Sequence, residues 1–237
     1  MRYRTAARTA GALFLCATVS FSVSVLILEP VLGTPDYLAQ VALHETRVAA
    51  GTLFELVNHV AVVGIALVLY PVLRPFSQRL ALGYVAVRSI EAVLFAIGTM
   101  HLLALVKVSQ DFLAAGSPGT SHYQTLSALL WSGHDWNDAS LLFTAFSAGA
   151  LILNAVLYRA RLVPRWLSVW GLVGAVMILA ARIILMSGID LSSAAVTVFD
   201  LPIMLQEIVF ALWLIFKGFY PGAFTAEAEV LPAPLGE

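Results

Sequence analysis

Ionisable and amide side chains inside otherwise apolar segments are the residues of this sequence that could do chemistry. Such groups are costly inside a membrane, where they normally face the interior of a helix bundle and pair with one another or bind a ligand. We expect them to form one polar cluster. The candidates are Glu55, Asn58, His59, Arg88, Glu91, His101, His134, Asp138, Arg182, Asp200 and Glu207.

Helical spacing brings several of these candidates onto common faces. Glu55, Asn58 and His59 follow an i, i+3, i+4 pattern, which places all three on one face of a helix. Arg88 and Glu91 are about one turn apart on the next apolar segment. The spacing therefore predicts two polar helix faces that must be buried against other helices.

Two interpretations of this polar cluster are open. In the first, the arginines and deep carboxylates are structural pairs that hold the helices together. In the second, they line a polar pocket that opens to the outer side of the membrane. The second interpretation follows from depth, because five candidates lie at about the middle of their spans or nearer the outer ends: His59, His101, Asp138, Arg182 and Asp200.

A metal site is a further alternative. Glu55 with His59, and His134 with Asp138, form carboxylate and histidine pairs at i, i+4, and a catalytic zinc site needs three such ligands with one open position. The sequence contains no H-E-x-x-H or H-x-x-x-H motif. We therefore predict no metal and no other cofactor, and these four residues remain the candidates if a metal binds.

Composition shows which elements must carry these residues. The chain has 237 residues, of which 60% are hydrophobic and only 11% are charged, and its mean hydropathy is +0.91. Soluble domains carry roughly a quarter of charged residues, so this is an integral membrane protein. The net charge of -1 excludes a nucleic-acid partner, which would require clustered basic residues. A single cysteine, Cys16, excludes an intrachain disulfide.

Apolar runs of about 20 residues predict an all-α bundle of six transmembrane helices. The predicted spans are about 9–28, 48–73, 80–106, 136–158, 166–186 and 195–216. They form one domain over residues 1–220, followed by a disordered acidic tail over residues 221–237. We expect the first span to be retained rather than cleaved, because its apolar run is longer than that of a signal peptide.

Short interfacial helices are predicted on the outer side of the membrane. Thr34 and Pro35 form a typical helix start, with Thr34 as the N-cap, and residues 121–131 are predicted to form a second short helix. Most basic residues fall on the opposite side, and the positive-inside rule therefore places both termini in the cytoplasm of a bacterial plasma membrane. These basic residues are Arg2, Arg4, Arg8, Arg74, Arg79, Arg159, Arg161, Arg165 and Lys217.

Several stretches of the chain resemble a known family. The most specific is the run LYRARLVPRWLS over residues 157–168, and others are LYPVLRP at 69–75, RSIE at 88–91 and HDW at 134–136. Through these stretches the chain resembles, from its basic start to Gly218, a bacterial family catalogued as domain of unknown function 4386. The resemblance implies a small six-span membrane protein and implies no reaction, cofactor or ligand. It draws attention to Arg88, Glu91, His134 and Glu207.

Three functional hypotheses follow from these observations. The first is a binding, sensor or accessory module whose outward-facing polar pocket takes a small amphiphile or ion. The alternative is an intramembrane enzyme, metal-dependent or not, that acts on a lipid or isoprenoid. A third hypothesis is proton-coupled transport through buried carboxylates. We expect the lipid bilayer and a small amphiphilic ligand as partners, and Gly171 and Gly174 would allow the close helix approach that an oligomer needs.

Overall fold

The computed structural model describes residues 2–116 and 121–224, and the side chains of Arg2, Ser121, 135–139 and Ser193 are not part of that description. The described part consists of helices joined by short connectors and contains no strand. Its elements are α1 (Arg2–Leu32), α2 (Tyr37–Leu43), α3 (Glu45–Leu73), α4 (Gln78–Ala114), α5 (Ser121–Trp136), a π-helical segment (Asn137–Leu142), α6 (Phe143–Ala160), α7 (Arg165–Met186) and α8 (Ser193–Phe216).

Six of these helices are long and apolar enough to cross a membrane, which confirms the predicted multi-pass, all-α fold. They are α1, α3, α4, α6, α7 and α8. Large apolar side chains point away from the bundle, among them Leu26, Val60 and Met100, which are 72%, 67% and 69% exposed. So many large apolar side chains on the outside of one bundle are typical of a surface that lipid covers.

The six spans form a closed ring in chain order. Each span packs against the next one, α1 against α3, α3 against α4, α4 against α6, α6 against α7 and α7 against α8, and α8 closes the ring by packing against α1. Close approach at the closure is possible because Gly11 has no side chain: a Cβ there would lie 2.6 Å from the carbonyl oxygen of Ala211. The arrangement is an up-and-down bundle with an interior that all six spans share.

The first and last described residues lie at the same end of the ring, which we call the proximal end. Tyr3 and Phe224 stack there with ring centroids 3.8 Å apart. The main apolar core fills this half of the bundle and includes Leu69, Leu157 and Leu214, all fully buried. The proximal half is therefore tightly packed.

The opposite end, which we call the distal end, extends beyond the bilayer. At 37 residues and a rise of 1.5 Å per residue, α4 is roughly 55 Å long, against about 30 Å for a hydrocarbon core. Its outer part packs with α2 and α5 around a second apolar core that includes Leu38, Val41 and Leu105. The predicted interfacial helices thus form a small folded cap.

The start of α2 differs from the prediction. Asp36, not Thr34, occupies the N-cap position, and the hydroxyl of Thr34 donates to the carbonyl oxygen of Val31, 3.1 Å away. The physical reason is that α1 continues through Pro30 to Leu32, so Thr34 is still within reach of the last turn of α1.

The fourth span is not a separate helix from the preceding connector. Residues 121–160 form one uninterrupted helical run, in which the π-helical segment joins α5 to α6. The predicted span 136–158 places Asp138 in its first turn, whereas in the structure Asp138 lies inside a longer helical run.

The C-terminal segment packs onto the proximal end. The backbone amide of Tyr220 donates to the carbonyl oxygen of Leu162, 2.9 Å away, and Phe224 also contacts Phe76. Residues 221–224, which we assigned to the tail, are helical and belong to the folded part of the chain. The rest of the predicted tail, residues 225–237, lies outside the described residues.

Candidate functional site

A cavity of about 120 Å³ occupies the middle of the ring, and we call it the central pocket. Every one of the six spans contributes to its wall, because the ring is closed around it. Most of the wall is apolar and rich in phenylalanine. The aromatic lining residues are Phe14, Phe21, Phe95, Phe143 and Phe146.

Arg88 and Glu91 of α4 form a buried ion pair in this wall. The Nη1 atom of Arg88 lies 2.9 Å from Oε2 and 3.2 Å from Oε1 of Glu91, so one nitrogen donates to both carboxylate oxygens. The guanidinium carbon lies 5.9 Å from the ring centre of Tyr84 and 5.7 Å from that of Phe146. The one-turn spacing of the two residues places both side chains on the same face of α4.

Glu207 of α8 faces the same pair across the pocket. It interacts electrostatically with Arg88 and with Glu91. Among residues 2–116 and 121–224, no side chain or backbone group hydrogen-bonds to it or pairs with it within 4 Å. Arg88 is therefore shared by two carboxylates but bonded to only one.

A second ion pair joins α7 to α8 at the edge of the pocket. The Nη2 atom of Arg182 lies 2.7 Å from Oδ2 of Asp200, and the guanidinium sits 4.3 Å from the ring centre of Phe143. Arg182 is 2% exposed and the Asp200 side chain 16%. This pair connects two spans, unlike the pair within α4.

The charges around the pocket do not balance. The carboxylates are Glu91, Asp200 and Glu207, and the cations are Arg88 and Arg182. Three buried atoms of these residues, Arg88 Nε, Arg182 Nε and Asp200 Oδ1, have no hydrogen-bond partner in the described structure. Buried polar atoms are nearly always satisfied, and an unpaired charge in low dielectric is costly. The arrangement can therefore accept a positively charged group that donates hydrogen bonds.

A larger cavity of about 210 Å³ lies on the distal side, and we call it the distal vestibule. Glu55 Oε2 accepts a hydrogen bond from Thr99 Oγ1 at 2.7 Å. His134 Nδ1 donates to the carbonyl oxygen of Gly98 at 3.0 Å, and His134 interacts electrostatically with Glu55. Glu29 of α1 also lines this cavity. The vestibule is acidic and lies between the central pocket and the distal surface.

The floor of the central pocket is closed on the proximal side. Gln206 Nε2 donates to the carbonyl oxygen of Leu167 at 3.2 Å and to Asn154 Oδ1 at 3.5 Å, while Asn154 Nδ2 donates to the carbonyl oxygen of Ala150 at 2.9 Å. The space left beside them is about 10 Å³, room for a single water at most. The pocket thus ends at this polar floor and the apolar core beneath it.

The structure brings together only some of the predicted residues. Five line the central pocket, Arg182 lies at its edge, and Glu55 and His134 line the vestibule. The five are Asn58, Arg88, Glu91, Asp200 and Glu207.

The remaining candidates lie elsewhere. His59 packs against Phe95, with ring centroids 4.8 Å apart, and His101 Nδ1 donates to the carbonyl oxygen of Ile97 in its own helix. The Asp138 side chain lies outside the described structure. In the described ranges, no three histidine, cysteine or acidic side chains converge as metal ligands would.

Sequence reasoning missed several residues of the site. The phenylalanines gave no signal, because aromatic residues are common in any apolar span. Asn154 did give one, as a lone amide inside the apolar run LILNAVLY. Glu29 directly follows the first predicted span, where polar residues are expected, and Thr99 is a hydroxyl residue inside the third. Only their three-dimensional neighbours reveal their place in the vestibule.

Comparison with known proteins gives a family and no function. No curated protein and no solved structure matches this chain. A family model matches residues 9–218, which is most of the chain and all six spans. The chain therefore belongs to the family described as domain of unknown function (DUF4386).

Proposed function

We propose that this protein is a ligand-binding membrane protein whose central pocket binds a small organic cation. The observation that carries the proposal is the excess of carboxylates over arginines around an aromatic, mid-membrane cavity. A cationic ligand would neutralise the excess charge, and Glu207, which has no bonded partner in the described structure, would be its counter-ion. Phenylalanine faces add cation–π attraction.

The chemistry of the pocket supports a primary amine with a short apolar tail. An ammonium group supplies three donors, which suit the Glu207 carboxylate, the unsatisfied Asp200 Oδ1 and the Asn58 amide. The volume supports a small ligand, because a cavity of about 150 Å³ accommodates benzene and this one measures about 120 Å³. The closed proximal floor supports binding rather than an open pore.

The alternative of an intramembrane enzyme receives less support from the geometry. Of the four residues named above as candidate metal ligands, Glu55 and His134 line the vestibule and His59 packs against Phe95. The central pocket itself contains no histidine among its described lining residues.

Orientation belongs to the same proposal. We propose that the proximal end faces the cytoplasm of a bacterial plasma membrane and that ligand comes from the distal side. The support is the charge distribution, since the proximal end carries Arg74, Arg79, Arg159 and Arg165, all exposed, and positive residues mark cytoplasmic loops.

Calorimetric titration of the detergent-purified protein tests the binding proposal. The probes are n-butylammonium, n-butanol and n-butyrate, which share a tail and differ in charge. We expect butylammonium alone to bind, and we expect Glu207→Gln to weaken its binding by roughly 30-fold, since loss of a buried charge partner costs about 2 kcal/mol.

Asp190→Asn is the matched control, because Asp190 is exposed at the distal surface and lines neither cavity. It should bind butylammonium like the unmodified chain. Equal affinity for butanol and butylammonium, or an affinity unaffected by Glu207→Gln, would contradict the proposal.

A further inference from the structure

The central pocket and the distal vestibule share one wall. Phe21 of α1, Phe95 of α4 and Leu142 at the end of the π-helical segment line both cavities. We call these three residues the septum. The two cavities are thus neighbouring chambers with a barrier one side chain thick.

The septum is entirely apolar and held by aromatic contacts. The rings of Phe21 and Phe95 meet edge to face with centroids 6.3 Å apart, and Phe21 meets Phe143 in the same way at 6.3 Å. The imidazole of His59 packs against the ring of Phe95 and supports it. Leu142 is 1% exposed. A ligand moving between the chambers must displace at least one of these side chains.

The vestibule has the charge to collect a cation in front of this barrier. Glu29 is exposed towards the distal end and Glu55 lies deeper, beside His134. Clefts lined by one sign of charge raise the local concentration of oppositely charged ligands and their association rates. Carboxylates therefore mark the path from the distal surface to the septum.

We infer that the ligand of the central pocket arrives through the distal vestibule and crosses the septum, so that Phe21 and Phe95 decide which cations enter and how fast. This inference rests on the proposed function, because it assigns a route to the same site. Phe21 and Phe95 act as specificity-determining residues. A rigid cation wider than butylammonium is held back by their rings.

A competing route leads sideways from the lipid. Met204 of α8 lines the central pocket and is 38% exposed on the outside of the bundle. A ligand dissolved in hydrocarbon would enter past Met204 without meeting the septum. The vestibule route is favoured for a cation, because its path carries carboxylates whereas the path past Met204 begins in apolar surroundings.

Exchange measurements on the detergent-purified protein separate the two routes. The probe is 4,4,4-trifluorobutylammonium, whose fluorine NMR exchange between free and bound states reports both rate constants. We expect Phe95→Ala to raise the association and dissociation rates by about tenfold each, with a much smaller change in Kd, because a barrier acts on both rates equally. Phe95→Trp should slow both rates.

The dependence of the association rate on ligand width provides a second test of the septum. tert-Butylammonium, which has the same number of carbons as n-butylammonium in a wider tail, should bind the unmodified chain slowly and Phe21→Ala about tenfold faster, because alanine leaves the septum wider. Phe95→Leu keeps an apolar side chain of intermediate size and serves if an alanine variant does not fold. Its rates should lie between those of the unmodified chain and Phe95→Ala.

Leu201→Trp is the control for the sideways route. Leu201 lies one turn from Met204 on α8, is 47% exposed and lines neither cavity, so the substitution should leave both rates unchanged. If Leu201→Trp slows exchange while the Phe95 variants do not alter it, the inference is overturned and the sideways route replaces it. If Glu207→Gln weakens binding but the Phe21 and Phe95 variants leave both exchange rates unchanged, the route through the septum is wrong and the proposed function stands. Failure of the unmodified chain to bind any of the cations overturns the proposed function as well.

Discussion

Each of the two arginines inside the bundle has a carboxylate partner, but the two pairs bridge different elements. Arg88 pairs with Glu91 within α4, so that pair forms whenever the helix forms. Arg182 of α7 pairs with Asp200 of α8, so that pair forms only when the two spans are in register. The second pair therefore contributes directly to tertiary structure.

Arg182→Met should destabilise the bundle strongly. It leaves the Asp200 carboxylate buried without a cation, a change that costs about 3 kcal/mol of unfolding free energy. The midpoint of thermal unfolding in detergent measures the loss, and adding Asp200→Asn in the same chain should recover most of it.

Lys107→Met is the control for that experiment. Lys107 and Asp111 are 2.5 Å apart, but their side chains are 69% and 49% exposed, and surface ion pairs contribute little. We expect almost no shift in the midpoint. Equal shifts for Lys107→Met and Arg182→Met would show that the Arg182 pair is not structural.

Among the elements, α6, α7 and α8 meet at a junction built around one glycine. A Cβ on Gly171 of α7 would clash with the side-chain amide of Asn154. Asn154 in turn bonds to Gln206 of α8, which also bonds to the backbone of α7. The absence of a side chain at Gly171 is what lets the polar floor of the pocket assemble.

Gly171→Ala should disrupt this junction. Overpacking of a tight interface costs about 2 kcal/mol, and displacement of Asn154 breaks the Gln206 bond, so the unfolding midpoint should fall. Butylammonium affinity should fall with it, because Glu207 follows Gln206 in the same helix.

Gly83→Ala provides the comparison on α4. A Cβ there meets only Ile152 Cδ1, at 3.8 Å, which is ordinary van der Waals contact. Alanine is the better helix former by about 1 kcal/mol, so the midpoint should stay or rise. A comparable loss for both glycine variants would count against a specific junction at Gly171.

At the scale of the whole molecule, the ring has two unlike ends. The proximal half is filled by the main apolar core and closed by the C-terminal segment, while the distal half contains the vestibule and opens beneath a helical cap. Because the proximal floor is closed, the proposed route from the distal vestibule gives ligand binding a direction. The proposed orientation decides which compartment supplies that ligand.

Labelling of engineered cysteines in intact cells of the expression host tests this orientation. In a Cys16→Ser background, Ser187→Cys exposes a thiol at the distal end and Arg159→Cys exposes one at the proximal end; both native residues are exposed. An impermeant maleimide should label only Ser187→Cys. Permeabilised cells should show both labels, and labelling of Arg159→Cys alone in intact cells would reverse the proposed orientation.

The sequence by itself determined the spans. Residues 48–73 and 166–186 were predicted and the structure has Glu45–Leu73 and Arg165–Met186, because about 20 apolar residues in lipid must satisfy their backbone within a helix. It also placed Arg88 and Glu91 on one helix face, since residues one turn apart share a face.

Only the tertiary structure decided which spans are neighbours and what lies between them. The pairing of Arg182 with Asp200, the separation of His59 and His101 from the pocket, and the septum of Phe21, Phe95 and Leu142 all depend on helices that are distant in the sequence. Helix association in lipid depends on shape complementarity between whole surfaces rather than on an exclusion of water. The spacing of residues within one helix does not determine which helix surfaces pack together. The order of the spans in the ring and the positions of the two cavities therefore could not be predicted from the sequence.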